Sequence, residues 1–204
     1  DAAESLGSLY KGQHTGTIGT LSALSFNGNK IVTTGGGGAI LTNDQELASR
    51  AKHLSTTAKL PHDWEFQHDE IGYNYRMPNV NAAIGCAQLE ELPRFVKQKR
   101  MIANRYKNIF KTIKGVEFFL EPKDTQSNYW LNVLLLEPGN EALRDSLLSG
   151  LNSINLMSRP AWTPMHMLKM YQNNPQMDLS VTESLFPRII NIPSSPKLAG
   201  LVNV

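Results

Sequence analysis

Residues 25–38 read SFNGNKIVTTGGGG, and they place one lysine, Lys30, between a short polar turn and four consecutive glycines. The apolar stretch 21–26 predicts a strand, and the β-rich runs 31–34 and 39–42 predict a hairpin joined by the glycines. Glycines permit positive φ and close backbone approach, so the run suits a tight turn. It is not a P-loop, because no Lys-Ser or Lys-Thr follows it. Lys30 is then either a solvated hairpin lysine or an amine held at a reactive centre.

The composition argues against several classes of protein. The 204 residues carry a formal net charge of +2 and are 41% hydrophobic, which suffices for a buried core. The small net charge argues against a general nucleic-acid binder. The single cysteine, Cys86, has no internal partner and indicates a reducing compartment, the cytoplasm. Since no apolar run reaches about 18 residues, no membrane span is predicted.

Strand and helix patterns alternate along the rest of the chain, which predicts an α/β or α+β fold. Asn43 is the predicted N-cap of the first helix, and Gly115 is predicted to end the third. A domain boundary near residue 100 gives domains 1–100 and 101–204. The predicted elements are helices at 43–54, 79–92 and 94–114, strands at 116–121 and 129–136, a helix at 140–149 and a long loop at 157–178.

One segment concentrates side chains that can bind a metal ion. Imidazoles and carboxylates are common ligands, but the spacing here matches no helical histidine pattern. A solvated loop is therefore favoured, and no metal site is predicted. The residues are His62, Asp63, Glu65, His68, Asp69 and Glu70.

Residues 94–114 contain eight lysines or arginines and no acidic residue. A basic helix of this kind can bind RNA or a membrane surface. Apolar residues recur at helical spacing on its other face, which favours a packed helix with a solvated basic face. Nucleic acid and membrane are therefore not expected as partners, although an RNA-binding domain remains a third interpretation.

Four segments together resemble one family. In order they are DAAESLG (1–7), SFNGNK (25–30) followed by the glycines, GYNYRMPNVNAAIGCAQLEEL (72–92) and WTPMH (162–166). They resemble the DegT/DnrJ/StrS-type nucleotide-sugar aminotransferases, in particular the branch that makes 4-amino sugars for legionaminic acid. The resemblance implies an α/β chain of the aspartate-aminotransferase fold (fold type I), with part of the large cofactor domain and the small C-terminal domain.

The resemblance implies roles around the cofactor pyridoxal 5'-phosphate (PLP). Lys30 would form the internal aldimine and later shuttle the proton, while Asp1 would face the pyridine nitrogen. Glu4 would lie near the ring hydroxyl, at a position that varies in the family. Ser25 would bind the cofactor phosphate, and Asn74 would reach the same phosphate from the neighbouring subunit of a homodimer.

The resemblance also implies a substrate. Arg159 and His166 lie in a loop expected near a nucleotide sugar. The implied reaction moves an amino group from an amino acid, glutamate, to a 4-keto nucleotide sugar, giving a 4-amino sugar for surface polysaccharide. Lysine at position 30 argues against the family's dehydratases, which carry histidine there. The alternative is a non-catalytic fragment that acts as a binding or dimerisation module.

Two departures from the family pattern matter. The family usually has Gly-Glu-Gly-Gly after the lysine strand, and Gly36 replaces that glutamate. The resemblance also begins only at the cofactor aspartate, so the family's N-terminal half has no counterpart, and its last helix is missing after Val204. The chain is therefore expected to be a fragment that is inactive alone.

Overall fold

The computed structural model describes residues 1–203. The chain is a mixed α/β protein that forms two compact units. The first unit contains Asp1–Lys97 and Pro122–Trp130, and the second contains Gln98–Glu121 and the chain from Leu131 onward. The segment Pro122–Trp130 thus belongs to the first unit although it follows a strand of the second. The domain division at residue 100 stays a prediction.

The elements are numbered along the chain. The strands are β1 (Leu9–Tyr10), β2 (Gln13–His14), β3 (Ser22–Ser25), β4 (Gly38–Leu41), β5 (Val116–Phe118), β6 (Thr125–Gln126), β7 (Asn132–Leu136), β8 (Arg159–Pro160) and β9 (Ile189–Ile192). The α-helices are α1 (Gln45–Ser55), α2 (Asn79–Glu90), α3 (Leu92–Phe110), α4 (Leu143–Ser153) and α5 (Ser180–Leu185). Within the described residues, no helix combines the length and apolar character needed to cross a membrane.

The hairpin predicted from residues 31–34 and 39–42 is wrong. Residues 31–34 form no strand, and β4 instead pairs antiparallel with β3, with Ser25 opposite Gly38. Val32 and Thr34 are buried, and the Thr34 amide donates to the Phe26 carbonyl at 3.0 Å. Because these residues fold back into the core, the connection between β3 and β4 becomes a structured loop, 26–37, that carries Lys30.

The glycines shape the end of this loop. Gly35 and Gly37 have φ of +82° and +90°, values that L side chains rarely adopt. A Cβ at Gly38 would overlap the Leu24 carbonyl oxygen across the β3–β4 pair, while one at Gly36 would meet nothing within 4 Å. The tight approach of the two strands therefore requires glycine at position 38.

We expect Gly38→Ala to lower the free energy of unfolding by about 1–3 kcal/mol, because the strands must move apart to admit the methyl group. Gly36→Ala is the matched control, since it lies in the same run with open space, and its effect should stay within about 0.5 kcal/mol. Urea unfolding of both variants measures the difference. Equal stabilities would contradict the close approach at position 38.

The second unit is built on a four-stranded antiparallel sheet of order β5-β7-β9-β8. Alternate residues of β7 are buried, and β9 is buried over its last three positions. Within this unit, the Tyr106 ring of α3 lies 6.0 Å from the Phe118 ring, and the Tyr106 hydroxyl donates to the Pro193 carbonyl at 3.1 Å. The core includes Phe118, Leu134, Leu136, Ile190 and Ile192.

Helix ends differ in detail from the sequence predictions. Asp44, not Asn43, is the N-cap of α1, and its carboxylate accepts from the Glu46 and Leu47 amides. The third helix ends at Phe110, and Gly115 lies beyond it with φ +85°, in the turn before β5. The position of an N-cap depends on where the backbone first turns into the helix. A sequence pattern alone cannot decide which of two adjacent capping residues is the N-cap.

The basic face of α3 is not wholly solvated. Lys99 is only 4% exposed, and its ammonium group donates to the Ser194 carbonyl at 2.5 Å. Burial lowers the pKa of Lys99 to about 8 from its usual 10.5. Arg100, next to it, forms a two-point ion pair with Glu121 at 2.8 Å. The basic residues of α3 therefore include solvated, ion-paired and buried side chains.

Lys99 should make stability depend on pH between about 8 and 10. In this window the unfolded chain binds a proton at Lys99 that the folded chain has released, so the free energy of unfolding rises with pH. Relative to Lys99→Met, the wild-type protein should gain on the order of 2–3 kcal/mol across the window. Above it, the raised pKa of the half-buried Tyr106 phenol acts in the opposite sense. Urea unfolding at a series of pH values checks this, and parallel curves for both proteins would contradict it.

Candidate active site

The Lys30 side chain is held by neighbouring groups and does not extend into solvent. Its backbone amide donates to the Asn27 carbonyl at 3.0 Å, which closes a tight turn after β3. The Lys30 side chain is 12% exposed, and its Nζ lies 3.1 Å from Glu4 Oε1. The same Nζ lies 4.3 Å from the centroid of the Trp130 ring. A carboxylate and an aromatic face therefore fix one amine within the first unit.

Trp130 is a site residue that the sequence analysis missed. Its indole N–H donates to the Asn29 carbonyl at 2.7 Å, beside Lys30, so the ring is anchored to the lysine turn. No local pattern links Trp130 to Lys30, because Trp130 belongs to the segment Pro122–Trp130, which lies far from Lys30 along the chain. The only hint in the sequence is a polar and aromatic stretch, SNYW (127–130), which overlaps the start of the predicted strand 129–136.

The predicted phosphate ligand Ser25 is the last residue of β3, directly before the loop that carries Lys30. Its hydroxyl accepts from the Asn27 amide at 3.3 Å, and its side chain is half-buried. The space around Gly28, at the tip of the turn, is open: an added Cβ would meet nothing within 4 Å. A hydroxyl therefore borders an open turn five residues before the lysine.

The first residues of the chain run beside β3. The Ala2 amide donates to the Ala23 carbonyl at 3.0 Å, which fixes this segment against the strand. Asp1 is exposed, and its carboxylate accepts from the Ala3 amide at 3.0 Å. Of the two carboxylates assigned to the cofactor, Glu4 is the one that contacts Lys30 directly.

Asn74 lies in a different part of the first unit. It is exposed and forms an isolated antiparallel bridge with Thr56, after α1. The rings on either side of it, Tyr73 and Tyr75, stack at 5.2 Å. Within the described residues, no hydrogen bond joins Asn74 to Lys30 or to Ser25.

Arg159 and His166 belong to the second unit. Arg159 is exposed on β8 and donates to the Asn152 side chain at 2.9 Å and to the Ser158 carbonyl at 2.8 Å. The His166 ring is 15% exposed, and its Nε2 lies 3.1 Å from a Glu183 carboxylate oxygen. Both side chains therefore have partners inside their own unit.

Part of the acidic and histidine-rich segment pairs with α1. His53 Nε2 lies 2.7 Å from Asp69 Oδ1, and Arg50 forms a two-point ion pair with Glu70. The hydrogen bond from His53 lowers the pKa of Asp69, and the Arg50 guanidinium lowers that of Glu70. His53, Asp69 and Glu70 offer ligand atoms within 4.8 Å of one another, but Arg50 already supplies the positive charge there.

Comparison with known proteins relates the chain to sugar aminotransferases. The model of the DegT/DnrJ/EryC1/StrS aminotransferase family matches residues 1–201. GDP-perosamine synthase of Escherichia coli O157:H7 is 41% identical over 200 residues, covering 98% of this chain and 53% of that protein. The chain spans about half the length of the curated relatives it matches.

Solved structures show the same fold. Helicobacter pylori PseC, an aminotransferase of pseudoaminic acid biosynthesis, superposes with a TM-score of 0.90 at 26% identity, over 97% of this chain and 54% of that one. Spr1654 of Streptococcus pneumoniae, solved in its PLP form, has a TM-score of 0.87 at 24% identity, over 97% and 52%. The predicted fold class is therefore confirmed.

Proposed function

The chain belongs to the DegT/DnrJ/EryC1/StrS aminotransferase family, and from this premise we propose that the protein transfers an amino group from glutamate to a 4-keto nucleotide sugar. The product is a 4-amino sugar for surface polysaccharide. The observation that carries the proposal is the Lys30 side chain, which is 12% exposed and whose amine is fixed between the Glu4 carboxylate and the Trp130 ring. Lysines normally extend into solvent, so such an amine indicates chemistry.

PLP, the cofactor of this family, suits the residues present. Its aldehyde requires a primary amine, which Lys30 supplies. Its phosphate requires donors, and the Ser25 hydroxyl borders an open turn where an anion has room. Its pyridine nitrogen requires a carboxylate, the role we assign to Asp1. When bound, PLP supplies an electron sink for the carbanion formed at the substrate carbon.

The chain's own residues perform the proton transfers and the positioning. Lys30 Nζ acts as nucleophile toward a carbonyl and as the base that carries a proton, so one group serves two steps at one point. Glu4 accepts a hydrogen bond from that nitrogen and orients it. Trp130 covers the amine with an apolar face and excludes water from it.

Arg159 and His166 are the residues that we propose for the substrate. The Arg159 guanidinium suits the phosphates of a nucleotide sugar, because it presents several donors in a planar fork. His166 offers a ring nitrogen that Glu183 holds in one orientation. The E. coli relative is named for a GDP-sugar product, which supports a nucleotide sugar as the substrate class.

We also propose a homodimer in which Asn74 reaches the partner's cofactor phosphate. The segment around Asn74 carries large apolar side chains that are 75–83% exposed: Trp64, Phe66, Ile71 and Tyr75. Apolar side chains gathered in this way indicate a surface that another protein covers. A two-fold dimer is the commonest closed assembly and would bury the same surface on both copies.

A free, unpaired Cys86 supports our placement of the protein in the cytoplasm.

An amino-transfer assay tests the proposed function. The purified full-length protein should absorb above about 300 nm, as a lysine-bound PLP does, and this absorbance should change on addition of glutamate. With a 4-keto nucleotide sugar added, the protein should release 2-oxoglutarate and form the amino sugar. A binding or dimerisation module would show neither the absorbance nor the products.

A further inference from the structure

One buried side chain, Asn128, ties together the two groups that hold Lys30. Its amide nitrogen donates to the backbone carbonyls of Glu4 and Leu6, at 2.9 Å each. Its carbonyl oxygen accepts from the Trp130 amide at 2.8 Å. Asn128 is 3% exposed, and these bonds use both donors of its amide and its acceptor. Asn128 thus links the carboxylate segment to the aromatic residue, in addition to the β1–β6 strand pairing that joins neighbouring parts of the same two segments.

The connection closes into a ring around the amine. The Asn128 backbone amide donates to Ser8 Oγ at 2.9 Å, a second tie between the two segments. The Trp130 indole in turn reaches the Asn29 carbonyl, one residue before Lys30. The segments in this ring are joined by hydrogen bonds and by one ion pair. A shift at Asn128 therefore changes the position of both partners of Lys30.

We propose that Asn128 is a positioning residue, which acts through Glu4 and Trp130 to hold the Lys30 amine and sets how readily that amine reacts with a carbonyl. The inference deepens the proposed function and rests on it, because it concerns the amine assigned to the cofactor. Asparagine suits this position because aspartate would offer no donor to the Glu4 and Leu6 carbonyls. An apolar residue would leave both carbonyls without their partner.

The test measures the reactivity of Lys30 itself. The intact protein, stripped of any cofactor, is methylated with formaldehyde and cyanoborohydride, and the modified lysines are located by peptide mass spectrometry. Exposed Lys97 serves as the internal reference. In Asn128→Ala and Asn128→Asp, methylation of Lys30 relative to Lys97 should rise roughly three- to tenfold, the effect of losing one or two hydrogen bonds.

Asn191→Ala is the matched control. Asn191 is also a buried asparagine whose amide donates to a carbonyl, that of Pro160 at 3.1 Å, but it lies in the second unit. This variant should leave Lys30 labelling at the wild-type rate. When Glu4→Gln and Trp130→Leu are already present, Asn128→Ala should add nothing, because its effect passes through those residues.

Three results would overturn the proposal. The first is wild-type labelling of Lys30 in Asn128→Ala with a lowered melting temperature, which would make the residue structural only. The second is a rise of the same size in Asn191→Ala. The third is wild-type labelling in Trp130→Leu, which decides the matter even if Asn128→Ala does not fold. Since labelling needs neither cofactor nor substrate, a protein with the expected labelling but no amino transfer would refute only the proposed function.

Discussion

In the full-length protein, replacement of Lys30 by alanine is expected to abolish amino transfer while the protein stays folded. The change removes the nucleophile and the proton carrier together, and general base catalysis alone is typically worth about 10²–10⁴-fold in rate. The variant also loses an ion pair with Glu4 and a contact with the Trp130 ring, so unfolding should become easier by about 1–2 kcal/mol. Initial rates of 2-oxoglutarate formation and a melting curve measure the two effects.

Lys97→Ala is the control for this experiment. Lys97 is an exposed lysine on α3, where alanine is well tolerated, so its loss should leave the rate unchanged and stability within about 0.5 kcal/mol. A solvated hairpin lysine at position 30 would behave in the same way. Wild-type rates in Lys30→Ala would therefore contradict the proposed enzyme.

Mixing two impaired variants should restore activity if Asn74 acts across a dimer interface. Asn74→Ala removes one hydrogen bond to a charged phosphate, worth about 1.5–3 kcal/mol, and should weaken cofactor binding about 10–100-fold. Assays at a PLP concentration that just saturates the wild-type protein make this loss visible. A heterodimer with Lys30→Ala has one intact site, so random subunit exchange should give about a quarter of wild-type activity.

The reciprocal mixture is the control. A double variant, Asn74→Ala with Lys30→Ala, leaves no intact site in a heterodimer with wild-type protein if the two residues come from different subunits. Adding it should therefore reduce wild-type activity as subunits exchange. No recovery in the first mixture and no loss in the second, with exchange confirmed, would place Asn74 outside the partner's site.

Local patterns predicted much of the secondary structure. The helices α1 and α2 and the strands β3, β4 and β7 lie within or next to the segments expected from periodicity and capping residues. The pairing of β3 with β4 was not predictable in this way. It follows from the burial of Val32 and Thr34, which is decided by the core and not by the β propensity of residues 31–34.

The candidate site was less accessible to sequence reasoning. Lys30 alone is an ordinary lysine, and its assignment came from the family resemblance of the segments around it. Its partners Glu4 and Trp130 lie far from it along the chain, and only the fold brings them to the amine. Lys99 shows the same limit, since nothing in a run of basic residues indicates which one is buried.

The central claim is that Lys30 is the amine that binds the cofactor. Borohydride reduction of the intact protein with PLP fixes the cofactor permanently on the lysine that holds it, and peptide mass spectrometry identifies that lysine. We predict one modified peptide, the one containing Lys30, and none when glutamate is added first, because the amine is then released. Modification spread over exposed lysines such as Lys97, or confined to any other lysine, would contradict the claim.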